Sequence, residues 1–584
     1  MIRKFLLIAV LITNLMYAMA TQHDLRVIYT TDVHGNFLPY NFITRTPGNG
    51  SLARVSTYVD SLRNTLGHDK VILLDNGDIL QGQPTAYYYN FIDTVTPHIV
   101  SRIYDYMGYD ATSIGNHDIE TGHSVYDRYS KQTHVPVLSA NTILTATGKP
   151  YFPPYKIIER NGIRIAIVGM LTPAIPAWLP ENLWSGLRFD DIVETAKTLI
   201  PIILKNEHPD IVIGLFHSGA DPATDTSGYH ENASITVAQQ VPGFDAILMG
   251  HDHRVHCSVV KAPDSAEIPV LNPANDAKNI GELNIVVEKD DNGNILKKSV
   301  SGKIVNIETL SPSQEFMAQF SKDITAINNY VNREIGYITD SITTRDAFFG
   351  ASPFMNLIHK LQLDISGADI SFAAPLSFDA SIKKGKIRMS DMFTLYKYEN
   401  MLYTVNLTGE EIKNYLEMSY ALWTQQITDS NSHIINFADE KPDKSTHNRL
   451  KKPSYNFDSA YGIDYTVDVT KPEGQKVNIT SLSNGKPFDM NKTYTVAVNS
   501  YRGNGGGDLL TIGAGIAKEN LGSRIVKSTD KDLRYYLMKQ IETIGTIVPD
   551  SSANWQFVPE SIATPILNKD RHILFSGKGS EKQK

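Results

Sequence analysis

The chain has 584 residues, of which 41% are hydrophobic and 20% charged, with a formal net charge of −8. Single hydrophobic cores stop growing at roughly 250–300 residues, so this length predicts two domains. The acidic balance excludes a broad surface for nucleic-acid polymers, which would be basic, but it does not exclude a small anionic substrate. Cys257 is the single cysteine, so no intramolecular disulfide forms, and we expect it to be a small buried residue.

Residues 1–20 have the features of a secretory signal peptide. Arg3 and Lys4 precede a mostly apolar stretch over 5–16, and Ala18-Met19-Ala20 fits a signal-peptidase site. The apolar stretch is shorter than the roughly 20 residues of a membrane-spanning helix, and no later segment is long and apolar enough to span. We therefore expect a protein secreted across the inner membrane, periplasmic or extracellular, with no membrane span in the mature chain.

Residues 21–310 alternate between strand-like and helix-like patterns. Strands are predicted at 25–31, 71–74, 163–170, 210–216, 245–249, 268–271 and 282–288, and helices at 52–66 and 192–204. This alternation predicts a layered α/β domain. Pro269 lacks a backbone N–H, which predicts an edge position for the strand 268–271.

The rest of the chain divides into a connection, a second domain and a tail. Phe316, Phe320 and Ile327 recur at helical spacing, and we interpret 311–345 as a connecting helix. The second domain is expected over 346–560, with helices at 353–362 and 408–422 and strands at 402–407, 465–469 and 493–498. Residues 561–584 are interpreted as a polar tail.

Five short blocks carry groups that can bind metal ions, each after a strand candidate or at a turn. They are Thr31-Asp32-Val33-His34-Gly35, Asp75-Asn76-Gly77-Asp78, Gly115-Asn116-His117-Asp118, Phe216-His217-Ser218 and Gly250-His251-Asp252-His253. Alone, each block is typical of a turn or a helix cap. Together they predict one shared site, because ligands gather at the carboxyl ends of strands in such folds.

The ligand types in these blocks predict two divalent ions. Carboxylate, imidazole and amide groups suit ions of the Zn, Mn, Fe or Co class, and the absence of thiolates argues against a structural zinc site. Asp78 is a candidate bridge between two ions roughly 3.5–4 Å apart, the arrangement that two-metal hydrolases need.

The blocks resemble the calcineurin-like metallophosphoesterase superfamily, as found in the 5′-nucleotidase family. The resemblance implies an α/β fold, with a four-layer α/β/β/α metallophosphoesterase domain over 21–310 and a C-terminal nucleotide-binding domain. It implies one metal site from Asp32, His34, Asp78 and His253, and a second from Asp78, Asn116, His217 and His251. His117 would stand beside the scissile phosphate without binding metal. Glu120 occupies the place where the family usually has an aspartate that orients this histidine.

Two motifs in the second domain resemble bacterial 2′,3′-cyclic-nucleotide 2′-phosphodiesterase/3′-nucleotidases. They are Tyr455-Asn456-Phe457-Asp458, and Asn499-Ser500-Tyr501-Arg502 with the following glycines. The resemblance implies that Tyr455 and Tyr501 stack on the nucleobase, with Phe457 as an alternative to Tyr455. The sequence therefore predicts hydrolysis of 2′,3′-cyclic nucleotides and 3′-nucleotides. The alternatives are a 5′-nucleotidase or UDP-sugar hydrolase with the same metal centre, and a non-catalytic nucleotide-capture protein.

Overall fold

The computed structural model describes residues 21–220, 228–429, 432–438 and 450–575. The chain forms two compact units with the boundary between Asp323 and Ile324, apart from segments 42–44 and 176–181, which group with the second unit. The predicted signal peptide and residues 576–584 of the predicted tail lie outside the described residues. Within the described ranges, no helix combines the length and apolar character needed to cross a membrane.

Two six-stranded sheets form the core of the first unit, which also contains a small three-stranded and a two-stranded sheet. In spatial order, the first sheet contains Ile295–Asn306, Asn279–Lys289, Thr21–Thr30, Val71–Asp75, Ala111–Ser113 and Val137–Leu138, and the second sheet contains Val255–Lys261, Glu267–Pro273, Ala246–Met249, Ile211–His217, Ile163–Leu171 and Tyr155–Arg160. The main helices are Leu52–Leu66, Ile99–Met107, Asn116–Glu120, His123–Gln132, Ile192–Glu207 and Ser234–Gln240. The strands and helices predicted for 21–310 are confirmed, with small shifts at their ends.

Alternation along the strands explains why the two sheets stack between layers of helices. Ile165 and Ile167 face the core between the sheets, together with residues of the first sheet. Ala166 and Val168 point to the opposite face, where they pack with residues of the helix Ile192–Glu207. A strand that is apolar on both faces needs cover on both sides. The resulting layers are the expected α/β/β/α arrangement.

Two predictions for the second sheet are wrong. Glu267–Pro273 lies between Val255–Lys261 and Ala246–Met249 and is not an edge strand. Pairing with the inner neighbour begins at Val270, so Pro269 lies just outside the part of the strand that is bonded on that side. Cys257 is exposed and not buried, because it lies on the outward face of the actual edge strand.

The predicted connecting helix over 311–345 is instead two helices and a strand. Gln314–Gln319 begins at Ser313, whose Oγ accepts a hydrogen bond from Phe316 N at 3.2 Å, and Ser321–Asn332 follows it. The chain then forms the strand Glu334–Ile338, paired with Gly385–Arg388. Gly336 allows this strand to approach its neighbours closely, since a Cβ there would lie 2.8 Å from a methyl group of Ile541.

The second unit contains a five-stranded sheet and two three-stranded sheets. The strands are, in spatial order, Ser459–Tyr461, Ile370–Ala373, Thr493–Asn499, Leu402–Thr408 and Ile525–Ser528, then Val477–Leu482, Ile463–Asp468 and Trp555–Val558, then Gly385–Arg388, Glu334–Ile338 and Thr546–Ile547. The main helices are Pro353–Ser366, Met389–Leu395, Gly409–Trp423, Leu533–Ile544 and Glu560–Phe575. The predicted helices and strands of this domain are confirmed.

The interpretation of 561–584 as a polar tail is wrong for its first part, which belongs to the helix Glu560–Phe575. Ala563, Ile566 and Leu574 form its buried stripe, at spacings that fit a helix. Asp570 lies in the same stripe and is fully buried, where it accepts hydrogen bonds from Ile434 N at 2.8 Å and Ile435 N at 2.9 Å. Hydrogen bonding to backbone amides thus accommodates a charged residue within an otherwise apolar face.

A buried histidine in the second unit should make stability depend on pH. His359 lies between Ser371 Oγ at 2.9 Å and Ser459 Oγ at 3.1 Å, and burial lowers its pKa from the usual 6.5 to about 3. The unfolded chain takes up this proton below pH 6.5, so the stabilisation is complete above that pH and is lost as the pH falls towards 3. We expect the free energy of unfolding to fall by up to about 1.4 kcal/mol per pH unit from this group.

Urea unfolding of the wild type and of His359→Gln at pH 5 and pH 7 measures this contribution. The variant should show a smaller loss of stability on acidification. His134→Gln, at a histidine whose side chain is 90% exposed, is the matched control and should behave as the wild type. Equal pH dependence in His359→Gln and the wild type would contradict the prediction.

Candidate metal centre

Sheet register brings the predicted blocks to corresponding strand ends. In the first sheet Thr30 pairs with Asp75, and Asp75 pairs with Thr112, so the segments that follow these residues emerge side by side. In the second sheet Phe216 pairs with Met249, which places His217 beside the turn containing His251. Parallel pairing therefore collects ligands that are far apart in sequence.

The first group consists of Asp32, His34, Asp78 and His253, whose ligand atoms all lie within 4.8 Å of one another. His253 Nε2 lies 3.0 Å from His34 Nε2 and 3.2 Å from Asp32 Oδ1. His34 Nδ1 lies 3.1 Å from the carbonyl oxygen of Gln81 and can donate its proton there. This leaves the lone pair of His34 Nε2 directed at the group, as metal ligation requires.

The second group shares Asp78 with the first. His217 Nε2 lies 3.2 Å from Asp78 Oδ2 and 3.1 Å from Asn116 Oδ1. His217 Nδ1 lies 2.6 Å from the carbonyl oxygen of Asn76, which fixes the proton on that nitrogen. His251 Nδ1 lies 2.8 Å from Asn116 Oδ1 and completes the set. The structure thus brings the seven predicted ligands into one cluster that includes Asp78.

The chemistry of these groups fits two divalent cations. The Nε2 atoms of His34 and His253 lie 3.0 Å apart, close enough for both to bind the same cation. Asp78 Oδ2 is buried and accepts no hydrogen bond from the described residues. A buried carboxylate oxygen without a donor is suited to bind cations. Oxygen and imidazole ligands without thiolate match ions of the Zn, Mn, Fe or Co class. The protein therefore has a dinuclear metal centre.

Burial and nearby positive charge shift the pKa values of the predicted acidic ligands in opposite directions. Burial alone would raise the pKa of Asp32 and Asp78, but the charge of His217 brings the pKa of both below the usual range. Burial and the neighbouring His253 lower the pKa of His34 to about 4, which keeps this imidazole neutral. Burial alone would lower the pKa of His217, but Asp78 and Asp32 raise it to about 10. The carboxylates and the His34 imidazole thus have the forms that bind metal ions, whereas His217 must release a proton when an ion binds.

Five of the predicted ligands have a left-handed backbone conformation. The φ angles are 49° at Asp32, 49° at His34, 54° at Asp78, 76° at His251 and 56° at His253. Residues other than glycine seldom adopt this conformation, although Asn, Asp and His do so more often than others. Backbone hydrogen bonds stabilise it, including Asp32 N to Gly77 O at 3.0 Å and His34 N to Asp78 O at 2.9 Å. The loop conformation, and not only the side-chain rotamers, aims these ligands at the centre.

Asp118 supports the turn that carries the bridging residue, a role that the sequence did not reveal. Its carboxylate accepts hydrogen bonds from Asp78 N and Ile79 N, both at 2.9 Å, and from Leu80 N and Gly115 N, both at 2.8 Å. Burial and the nearby Asp78 raise its pKa to about 6. The helix-cap character of Asn-His-Asp was the available signal, since a capping carboxylate accepts from backbone amides.

His117 and Glu120 lie beside the ligands. His117 Nδ1 is 2.5 Å from Glu120 Oε2, and the His117 backbone N–H donates to Asp78 Oδ1 at 2.8 Å. Burial alone would lower the pKa of His117, but Asp78 and Glu120 raise it to about 9. The glutamate thus reaches the imidazole despite its extra methylene, leaving Nε2 of His117 available to another group.

The second unit brings the two predicted base-binding motifs together through Arg502. Arg502 donates to Tyr455 O at 2.5 Å and to both carboxylate oxygens of Asp458, at 2.9 and 3.0 Å. Tyr455 and Tyr501 are each half-buried, so neither residue is fully enclosed in the core. Phe457 is fully buried and stacks on Trp423 at 5.7 Å, so it belongs to the core and not to the base-binding surface.

Comparisons with known proteins agree with this architecture. A trifunctional nucleotide phosphoesterase protein of Bacillus subtilis is 27% identical over 96% of this chain, which spans only 41% of that longer protein. A 2′,3′-cyclic-nucleotide 2′-phosphodiesterase/3′-nucleotidase of Yersinia enterocolitica is 26% identical over 94% of this chain and 90% of that protein. The structure of a candidate 5′-nucleotidase of Staphylococcus aureus has the same fold, with a TM-score of 0.74 and 21% identity over 91% of this chain and 99% of that chain.

The family matches divide the chain as the fold does. Residues 25–255 match the calcineurin-like phosphoesterase family, and residues 313–512 match the C-terminal domain family of 5′-nucleotidases. The predicted ligands of the dinuclear centre, from Asp32 to His253, all lie within the first match. Residues 25–255 are therefore a calcineurin-like phosphoesterase domain and residues 313–512 a 5′-nucleotidase C-terminal domain, and the chain is a metal-dependent phosphoester hydrolase.

Proposed function

We propose that the protein hydrolyses 2′,3′-cyclic nucleotides and 3′-nucleotides at this centre. The observation that carries the proposal is the convergence of Asp32, His34 and His253 on the buried carboxylate of Asp78. The substrate class is supported by the Yersinia enterocolitica relative, which bears this activity in its name and is matched over 90% of its length.

The proposed roles follow from the contacts around Asp78. Asp32, His34, Asp78 and His253 would hold one ion. Asp78, Asn116, His217 and His251 would hold the other. Two divalent ions at such a centre supply positive charge that activates the attacking water and stabilises the phosphoryl oxygens. His117, oriented through Nδ1 by Glu120, presents Nε2 to the phosphoester, where it stabilises developing negative charge or protonates the leaving oxygen.

Tyr455 and Tyr501 are proposed to bind the nucleobase in the second unit. Both rings are half-buried, and Arg502 links the segments that carry them. Gly506 supports the Tyr501 ring directly, since a Cβ at that position would lie 2.4 Å from a ring carbon. Stacking on an aromatic ring contributes roughly 1–3 kcal/mol per base and tolerates any base. We therefore expect a preference for nucleotides over simple phosphoesters, with little discrimination among bases.

A panel of substrates tests the proposal against its rivals. Initial rates with 2′,3′-cyclic AMP and 3′-AMP should exceed those with 5′-AMP and UDP-glucose by at least about tenfold in kcat/KM, a difference of about 1.4 kcal/mol. Chelation should abolish hydrolysis of all four compounds. Faster turnover of 5′-AMP or UDP-glucose would favour the 5′-nucleotidase or UDP-sugar hydrolase alternative. Nucleotide binding without turnover of any substrate would favour the capture protein.

Export across the inner membrane is part of the proposal, with the mature protein in the periplasm or outside the cell. The basic, apolar and small-residue segments of residues 1–20 support it. A nucleotidase in that location would act on external nucleotides.

A further inference from the structure

Glu231 contacts the side of His251 that faces away from the metal centre. His251 Nε2 lies 2.9 Å from Glu231 Oε1, while His251 Nδ1 lies 2.8 Å from Asn116 Oδ1. A carboxylate accepts hydrogen bonds and donates none, so Nε2 carries the proton and Nδ1 keeps its lone pair. The side chains of His251 and Glu231 are only 11% and 18% exposed, so water competes weakly for this contact.

Other ligand histidines are oriented by the backbone. His34 and His217 direct their Nδ1 atoms at the carbonyl oxygens of Gln81 and Asn76, at 3.1 and 2.6 Å. Those acceptors are neutral and belong to the loops themselves. His251 instead depends on a charged side chain 20 residues earlier in sequence. A carboxylate acceptor makes the imidazole a stronger metal ligand than a carbonyl does.

Ser218 connects Glu231 to the strand end that carries His217. Ser218 Oγ donates to Glu231 O at 2.7 Å and accepts from Ala233 N at 2.9 Å. Ser234 Oγ in turn donates to Ser218 O at 2.7 Å. These bonds hold the segment containing Glu231 at a fixed position beside His217. The fold therefore fixes the position of the Glu231 carboxylate beside His251.

We propose that Glu231 is a positioning residue for the second metal site, acting through His251 on the affinity of that site alone. The inference rests on the proposed assignment of Asn116, His217 and His251 to that site. Glu231 contacts the metal centre through His251, which belongs to the second group of predicted ligands and not to the first. Its loss should therefore weaken one ion selectively and leave the other in place.

Calorimetric titration of the metal-free protein with Mn²⁺ tests this inference. The wild type should bind two equivalents. Glu231→Gln keeps the shape of the side chain but removes its charge, and we expect it to raise the Kd of one equivalent by about 10- to 100-fold without changing the other. Activity should recover as Mn²⁺ approaches saturation. The thermal unfolding of the metal-free variant should match that of the wild type, which a general structural defect would not allow.

Two further variants separate the possible failures. Glu194→Gln removes an exposed glutamate that pairs with Lys197 in the same unit, and it should bind both ions as the wild type does. His251→Ala should lose one equivalent. If His251→Ala retains both at unchanged affinity, the assignment of the second site is wrong. The inference about Glu231 is overturned, and the assignment of the second site stands, if His251→Ala loses one Mn²⁺ equivalent while Glu231→Gln binds both ions normally. The same conclusion follows if Glu231→Gln binds both ions more weakly to the same extent.

Discussion

Replacement of His117 by alanine is expected to lower kcat by about 10²- to 10⁴-fold, the usual contribution of a positioned proton donor or acceptor. The side chain hydrogen-bonds to Glu120 and packs edge-on against the His34 ring, with 5.4 Å between the ring centroids, and no polar contact joins the two rings. The backbone N–H of His117, which the variant keeps, supplies the bond to Asp78. Metal binding and the fold should therefore survive. Steady-state kinetics with 3′-AMP and metal analysis of the same preparation measure the two properties together.

Glu120→Gln is the matched variant for this prediction. It retains an acceptor for the Nδ1 proton but removes the charge that accompanies it. We expect a smaller fall in kcat than in His117→Ala, again with two ions bound. Loss of metal in His117→Ala would show that the histidine supports the centre itself. Full activity in that variant would remove it from the proposed mechanism.

Replacement of Arg502 by methionine should destabilise the second unit by roughly 3–5 kcal/mol, the usual cost of breaking a buried ion pair from one side. Arg502 and Asp458 are 3% and 2% exposed, and the Asp458 carboxylate would retain Tyr415 as its neutral donor. The variant also loses the hydrogen bond to Tyr455 O, so KM for nucleotides should rise together with the loss of stability.

Hydrogen exchange measured by mass spectrometry can locate this effect. Amides of the strand Thr493–Asn499 should exchange faster in Arg502→Met, while those of Ile163–Leu171 in the first unit serve as the internal reference. Arg345→Met is the control, because Arg345 pairs with Asp379 at the surface, where such pairs contribute about 1 kcal/mol or less. Similar exchange in both variants would contradict the prediction for Arg502.

The sequence predicted the strands and helices that depend on local pattern, and the structure brings the predicted ligands to the ends of those strands. Val71–Asp75 and Ile211–His217 are apolar runs that end in a polar residue. The change from apolar to polar residues predicts where each strand ends. The prediction of one connecting helix was wrong because the helical spacing of apolar residues continues past Phe320 and Arg333, although the two helices end before these residues. Local periodicity does not show that the chain pairs as a β-strand from Glu334 onward.

Roles that depend on tertiary contacts were not predictable. Glu231 follows no strand and matches no motif, and its function emerges only when Ser218 fixes it beside His251. Phe457 could not be separated from Tyr455 by alternation along an extended segment. The segment is a short 3₁₀ turn over Ser454–Asn456, which directs Phe457 into the core against Trp423.

The left-handed backbone of five predicted ligands limits which amino acids can replace them. Asp32, Asp78 and His253 have positive φ angles, a region that Asn, Asp, His and Gly enter most readily. A Cys, Gln or Glu at these positions would add a conformational penalty, of order 1–3 kcal/mol, to any change in affinity for the ion. Changes in the metal preference of this centre are therefore expected to use substitutions among Asp, Asn and His at these positions, or substitutions of residues that contact the ligands from behind.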